Sequence, residues 1–181
     1  MYISKDFSRL EINLDGCLEN YRYFRSRLED TTKLLVLVKA NAYGHGAVEF
    51  ASLMENAGAD YLAVAYPIEG IELRQAGIKS PVMVLTAGTD SFEQIINYGL
   101  EPGIPNMYSL KLLCDVLQKR GMTNYPIHIK LDTGMHRLGF MTEEMEELFG
   151  FLKTCDSVKV KSVYSHLAAA DDPSCDDFTM G

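Results

Sequence analysis

Apolar residues along the chain fall into two alternating patterns, short apolar runs and longer stretches in which they recur every three or four residues. The short runs predict strands, and the longer stretches predict amphipathic helices with one buried face. Glycine follows most of the helical stretches and predicts where they end. We therefore predict strands over 9–13, 34–39, 61–65, 81–85, 100–104, 127–131 and 158–164, and helices over 15–28, 47–57, 68–76, 91–98, 109–120 and 142–153.

Local signals make some of these elements clearer than others. Ser91 and Gln94 have the spacing of a capping box at a helix start, whereas Pro102 and Gly103 weaken the strand prediction over 100–104. The helix over 109–120 carries its large apolar residues at helical spacing, which predicts that one face is buried: Leu110, Leu113 and Leu117.

Strict alternation of strands and helices implies right-handed crossovers and a parallel sheet, either doubly wound or closed as a barrel. A doubly wound nucleotide-binding fold calls for a GxGxxG turn after its first strand, and this chain has KANAYGHG at the first such turn. We therefore favour an α/β fold of the TIM-like (β/α) barrel type. A closed barrel has eight strands and typically ~250 residues. The six predicted barrel strands in 181 residues form about six of the eight βα units.

Composition and charge narrow the class of function. The chain has 17 basic and 25 acidic residues, a net charge of −8, and its basic residues are scattered. This disfavours nucleic acid or an anionic membrane as partner.

No apolar run approaches the ~20 residues of a membrane span, and the first residues lack a signal-peptide core, so we expect a cytoplasmic protein. The widely spaced cysteines, without a CxxC pair, predict reduced thiols and no metal site: Cys17, Cys114, Cys155 and Cys175.

The stretch 33–46, KLLVLVKANAYGHG, carries the most distinctive chemistry. Five apolar residues predict a strand buried on both faces, and Lys39 follows them directly, before a flexible turn that contains Gly44 and Gly46. Burial would lower the pKa of the Lys39 ammonium, and a neutral amine is a nucleophile that condenses with an aldehyde cofactor and can act as a base. The alternative is a lysine that extends from the strand end into water.

The segment VKANAYGHG resembles the attachment segment for pyridoxal 5′-phosphate (PLP) in bacterial alanine racemases. The resemblance implies that Lys39 is the catalytic residue that carries PLP covalently and that Tyr43 lies near the cofactor phosphate. In that family, an N-terminal barrel precedes a β-rich C-terminal domain.

A second segment, IHIKLDTGMHRLGF over 127–140, is similar to the KxDTGMxRLG segment of the same family. The resemblance implies that Arg137 binds the phenolic oxygen of PLP and the region of the substrate carboxylate, a role that suits the rigid donor fork of arginine. In that family the lysine that matches Lys130 is often carbamylated, which implies the same modification here. The alternative for Lys130 is an unmodified strand lysine. The alternative for Arg137 is a surface arginine on a loop.

The segment YSHL over 164–167 resembles the family segment whose histidine stacks beside the pyridine ring of PLP, which implies that role for His166. A packing histidine is the alternative. The remaining histidines are interpreted as structural: His45, His128 and His136. In a parallel barrel the strand ends meet at one mouth, so we expect Lys39, Lys130, Arg137 and His166 to converge there. The acidic run over 171–177 is predicted to be a solvated loop.

Together these resemblances imply that residues 1–181 are the N-terminal portion of a racemase that interconverts L-alanine and D-alanine for peptidoglycan synthesis. The full enzyme is expected to be a homodimer in which the partner subunit supplies the second catalytic base. The C-terminal domain and the last two barrel strands would lie outside this chain. The strand over 9–13, which in the family leads into the C-terminal domain, would be orphaned. We therefore expect the chain alone to be inactive. The alternatives are a serine-preferring racemase, a non-catalytic single-domain PLP-binding protein and a non-enzymatic interaction module.

Overall fold

A computed structural model describes residues 9–180. Six strands alternate with helices along these residues, as the sequence predicts. The strands are β1 (Leu35–Leu37), β2 (Tyr61–Val64), β3 (Val82–Val84), β4 (Glu101–Ile104), β5 (Tyr125–Lys130) and β6 (Val158–Tyr164). The helices are α1 (Leu14–Ser26), a left-handed turn α2 (Lys39–Tyr43), α3 (Ala47–Asn56), α4 (Pro67–Gln75), α5 (Phe92–Asn97), α6 (Met107–Lys119), α7 (Met145–Leu152) and α8 (Asp176–Met180). Short 3₁₀ helices cover Thr89–Ser91, Thr142–Glu144 and Pro173–Cys175.

The six strands form one sheet in the order of the sequence, β1 to β6, and every neighbouring pair is parallel. The prediction of an α/β fold with six parallel barrel strands is therefore confirmed, including the strand that contains Pro102 and Gly103. In the part of the chain that the structure describes, β1 and β6 are edge strands and the barrel is open between them. The inner face of the sheet is therefore accessible through the gap between β1 and β6.

The main core lies between the outer face of the sheet and the helices that cover it. Helix α6 shows how the pattern produces this core, because Leu110, Leu113 and Leu117 are fully buried on one face, as predicted. Each such leucine stabilises the fold by about 1.5–3 kcal/mol through removal of its side chain from water. The core therefore fixes the helices against the sheet and sets the positions of the strand ends.

Three local predictions are wrong, two because of the strand's neighbours and one because of the local backbone. Residues 9–13 form no strand, and a strand requires a neighbour to receive its backbone hydrogen bonds; Leu10 remains 75% exposed. Ser91 makes no capping hydrogen bond through its side chain, so the predicted capping box is absent. Strand β1 is not buried on both faces, since Leu35 and Leu37 are 37% and 38% exposed beside the open side of the sheet.

The acidic run over 171–177 is exposed, as predicted, but it is not simply a loop. The Asp172 carboxylate accepts hydrogen bonds from the amide and the hydroxyl of Ser174, at 2.9 and 2.7 Å. This contact begins the 3₁₀ helix, and Asp176 and Asp177 then lie in the first turn of α8, where negative charge is favourable. No helix within residues 9–180 has the length and apolar character needed to cross a membrane.

Candidate functional site

A cavity of about 550 Å³ opens at the carboxyl ends of the strands, on the inner side of the sheet. This volume lies in the range of small-molecule sites. Four of the five side chains singled out from the sequence line it: Lys39, Lys130, Arg137 and His166. The predicted convergence of these side chains at one mouth is therefore confirmed, whereas their roles in chemistry remain predictions.

Lys39 follows β1 and begins the left-handed turn α2. The next four residues all have positive φ values near 50°, from Ala40 (51°) to Tyr43 (56°). Such a conformation is costly for residues with a Cβ atom and requires support from its surroundings. The sequence predicted a flexible turn here, but the structure contains a specific backbone arrangement that directs the partly buried Lys39 toward the cavity.

Side chains outside the turn hold this arrangement. The Glu69 carboxylate accepts a hydrogen bond from the Ala40 amide at 2.6 Å and two more from the amides of Ala65 and Tyr66, at 2.7 and 3.0 Å. The Asn41 side chain accepts from the Ala47 amide at 2.7 Å. Glu69 thus joins the turn after Lys39 to the end of β2. No pattern in the sequence points to Glu69, because the Ala40 amide that it holds lies 29 positions away.

Tyr43 is not brought into the cavity. Its side chain is 59% exposed and lines a separate depression with Cys17, Asn20 and Phe50. The Lys39 Nζ atom lies 5.9 Å from the centre of the Tyr43 ring, so the two residues are nevertheless neighbours. The structure therefore places Tyr43 beside Lys39 and outside the cavity that holds the other four side chains.

The cationic side chains give the cavity a strongly positive character. Burial lowers the pKa of Lys130, and the nearby positive charges of Arg137 and Lys39 lower it further, while Asp132 acts in the opposite direction. The Lys130 Nζ atom also lies 5.6 Å from the centre of the Tyr164 ring. The two positive charges of Arg137 and Lys39, close enough to affect the pKa of Lys130, favour an anionic group such as a phosphate or a carboxylate.

The loop that presents Arg137 is fixed at its base. The Phe140 amide donates to the Lys130 carbonyl at 2.8 Å, and the Asp132 amide donates to the Phe140 carbonyl at 3.0 Å. Within the loop, the Asp132 carboxylate accepts from the amides of His136 and Gly134 at 2.9 and 3.0 Å. Both hydrogen bonds lower the pKa of Asp132, and the one from the His136 amide has the larger effect. Arg137 itself is exposed at the rim of the cavity.

Tyr164 also lines the cavity, a placement that the sequence analysis missed. Its hydroxyl group is buried without a hydrogen-bond partner among residues 9–180, next to Gly103, and burial raises its pKa to about 12. The signal was available in the sequence, since Tyr164 precedes His166 by two positions and alternate residues of a strand share a face. The residue therefore contributes to the cavity wall, while its hydroxyl oxygen is turned toward Gly103 and has almost no exposed surface.

A second polar group lies deeper on the inner face of the sheet. His128 is 3% exposed, and its Nδ1 and Nε2 atoms lie 2.7 Å from Ser162 Oγ and 3.0 Å from Glu101 Oε2. The Tyr61 hydroxyl donates to the same Glu101 oxygen at 3.2 Å. The structural interpretation of His128 agrees with this arrangement. The other two histidines lie apart from the cavity, His45 near Phe50 and His136 beside Asp132.

The fold and site together define a class of protein, an open parallel (β/α) barrel with a lysine and further cations at its mouth. Comparison with known families identifies the member of that class. Residues 12–180 match the family described as alanine racemase, N-terminal domain, and the chain belongs to this family.

Individual relatives agree with the family assignment. The alanine racemase of Synechocystis sp. is 41% identical over 167 residues, which are 91% of this chain and 45% of that protein. The structure of alanine racemase from Clostridium difficile 630 superposes with a TM-score of 0.84 at 35% identity and covers 89% of this chain and 43% of that one. The alanine racemase structure from Bartonella henselae has covalently bound pyridoxal phosphate, a TM-score of 0.83 and 26% identity, over 92% and 49% of the two chains. The chain thus spans less than half the length of these relatives.

Proposed function

We propose that this chain is the N-terminal portion of a PLP-dependent alanine racemase and that Lys39 is its cofactor-binding and catalytic lysine. The observation that carries the proposal is the presence of the Lys39 amine in one cavity with Lys130, Arg137 and His166. The covalently bound pyridoxal phosphate of the Bartonella henselae relative supports the same cofactor here.

The residues of the cavity fit PLP in size, charge and donor chemistry. The volume of about 550 Å³ accommodates a small cofactor together with an amino acid. The cations that lower the pKa of Lys130 suit a ligand with a phenolate, a phosphate and a carboxylate. The Arg137 guanidinium at the rim supplies a fork of hydrogen-bond donors for an acceptor atom of the ligand.

PLP, when bound, withdraws electrons from the substrate and makes the proton on its Cα atom removable. In the proposal, Lys39 Nζ accepts or returns this proton on one face of the Cα atom. Arg137 would hold the phenolic oxygen of PLP and orient the substrate carboxylate, and His166 would pack against the pyridine ring. The lowered pKa of Lys130 favours the neutral amine that carbamylation requires, so the proposal assigns a carbamylated Lys130 as an anionic partner of Arg137.

Inversion at Cα requires proton transfer on both faces, and the proposal assigns the second face to a residue of the partner subunit in a homodimeric enzyme. We therefore propose that residues 1–181 alone do not racemise alanine at enzymatic rates, which are roughly 1 s⁻¹ or more. The exposed edges of β1 and β6 support this view, because the barrel is open beside the cavity in the described residues. Supply of D-alanine for peptidoglycan is the proposed role of the whole enzyme.

The experiment that tests the cofactor assignment is reduction with borohydride in the presence of PLP, followed by peptide mapping. We expect a pyridoxyl group on Lys39 and none after Lys39→Ala. Lys79→Ala is the matched control, because Lys79 is an exposed lysine away from the cavity. Labelling of the same peptide in Lys39→Ala would contradict the assignment. A parallel assay with L-alanine and L-serine tests whether the chain alone has activity.

A further inference from the structure

Two cysteines that play no part in the proposed site lie in contact. Cys114 belongs to α6, Cys155 lies between α7 and β6, and their Sγ atoms are 3.2 Å apart. Cys114 is 2% exposed, whereas Cys155 is partly accessible. Both are free thiols in the structure. Neither lines the cavity that contains Lys39.

The local geometry allows these thiols to be joined with a small movement. A disulfide has an S–S distance of ~2.05 Å, so the two sulfur atoms must approach by roughly 1.1 Å. Cys114 is held by the buried face of α6, between Leu113 and Leu117. Cys155 follows the end of α7, where the Thr154 amide donates to the Phe151 carbonyl, and precedes β6. The segment between α7 and β6 can therefore move Cys155 toward Cys114 while α6 stays in place.

We propose that Cys114 and Cys155 form a reversible intramolecular disulfide when the protein encounters a peroxide. The Cys155 thiol reacts first, because it is the accessible member of the pair. It is oxidised to a sulfenic acid as hydrogen peroxide is reduced to water. The Cys114 sulfur then attacks the Cys155 sulfur, the S–O bond breaks, and the hydroxyl group leaves with the Cys114 proton as a second water.

The order of these steps follows from the surroundings of Cys114. Burial raises the pKa of the Cys114 thiol, and the contact with Cys155 raises it further. Cys114 therefore remains protonated near neutral pH and is a poor first target for peroxide. Its Sγ atom lies 3.2 Å from that of Cys155, so Cys114 is the thiol placed to condense with the Cys155 sulfenic acid, and its proton leaves with the hydroxyl group as that bond forms. Reduction by a dithiol returns both cysteines to their original state.

The disulfide would connect residues that are 41 positions apart. The ring so formed contains β5, the loop with Arg137, and α7, and thus contains Lys130 as well. Closing such a ring lowers the conformational entropy of the unfolded chain more than that of the folded chain. We expect oxidation to raise the midpoint of thermal unfolding by roughly 5–15 °C while the cavity stays accessible.

The test treats the reduced chain with hydrogen peroxide, blocks remaining thiols with a maleimide and maps the peptides without reduction. We expect one disulfide between the Cys114 and Cys155 peptides, a loss of two hydrogen atoms, and a higher unfolding midpoint that dithiothreitol reverses. Cys155→Ser should abolish both the crosslink and the thermal shift. Cys17→Ser is the matched control and should change neither, since Cys17 lies on α1, outside this pair.

Several results would overturn the proposal. They are a disulfide that involves Cys17 or Cys175, crosslinks between molecules, oxidation of Cys155 to a sulfinic acid with Cys114 still free, and an unchanged unfolding midpoint in the crosslinked form. The wild-type peptide map decides the question even where a variant of the buried Cys114 fails to fold. PLP binding through Lys39 is measured separately, so failure of this proposal leaves the proposed function untouched.

Discussion

Replacement of Gly139 by alanine should disrupt the base of the loop that carries Arg137. Gly139 has a φ of +136°, a conformation that residues with a Cβ atom rarely adopt. A Cβ atom there would lie 2.5 Å from the Leu131 carbonyl carbon and 2.8 Å from its oxygen, and it would also overlap the Asp132 amide nitrogen. All three are backbone atoms, which cannot move aside as the end of a flexible side chain could.

The magnitude follows from two effects of the added methyl group. The unfavourable φ costs about 1–3 kcal/mol. The overlap separates the strands of backbone at 131–132 and 139–140, and so breaks the hydrogen bonds from the Asp132 amide and the Phe140 amide, each of which contributes about 0.5–1.5 kcal/mol. The expected loss is about 2–6 kcal/mol, against a total stability of about 5–15 kcal/mol for a typical domain.

Gly58→Ala is the matched control. Gly58 follows α3 with a φ of +89°, and no atom outside its own neighbourhood lies within 4 Å of the position of an added Cβ atom. This variant therefore has the conformational cost alone, about 1–2 kcal/mol. The free energy of unfolding of both variants is measured by urea denaturation followed by circular dichroism. If Gly139→Ala loses no more stability than Gly58→Ala, the argument from the backbone overlap is wrong.

Three further predictions concern the site and its supports. Arg137→Ala should weaken PLP binding by roughly 10- to 100-fold in an absorbance titration, and Arg137→Lys by less, because lysine retains the charge but loses the donor fork; equal affinities in both variants and wild type would exclude the contact. Glu69→Ala should cost about 1.5–3 kcal/mol in urea denaturation, and Glu69→Gln less, because the amide oxygen still accepts hydrogen bonds; unchanged stability in Glu69→Ala would remove its supporting role. Asp132 has a lowered pKa in the folded state, so its carboxylate stabilises the fold above its ordinary pKa and this contribution is lost as the pH falls below ~4. The unfolding midpoint should therefore decline less on acidification in Asp132→Asn than in wild type, and parallel profiles would refute this.

The elements that sequence reasoning identified correctly are those determined by local pattern. Helix α6 has apolar residues at helical spacing and glycine after its end, and β6 has the bounds that were predicted, Val158–Tyr164. Residues 9–13 have the pattern of a strand but no partner in the described chain, so the pattern alone was insufficient. A strand depends on its neighbour for hydrogen bonds, whereas a helix satisfies its own.

The same distinction applies to the site. The convergence of Lys39 with Lys130 and Arg137 follows from the rule that parallel strand ends meet at one edge, so the sequence was sufficient. The position of Tyr43 depends on four consecutive left-handed residues, a backbone path that the composition of KANAY does not suggest. The support from Glu69 depends on contacts between distant segments, which no spacing along the chain encodes.

The order of the strands also has a consequence for how the protein acquires its fold during synthesis. Each strand pairs with the strand that precedes it in the chain, from β1 to β6, so no strand waits for a partner that is made much later. Each new pairing closes only the one helix-containing segment between the two strands, so the entropy cost of closure stays similar from strand to strand. The sheet can therefore grow by one strand and one helix at a time as the chain leaves the ribosome. Two edges, that of β1 and that of the newest strand, are then exposed at every stage, and both are surfaces that a nascent-chain chaperone would protect.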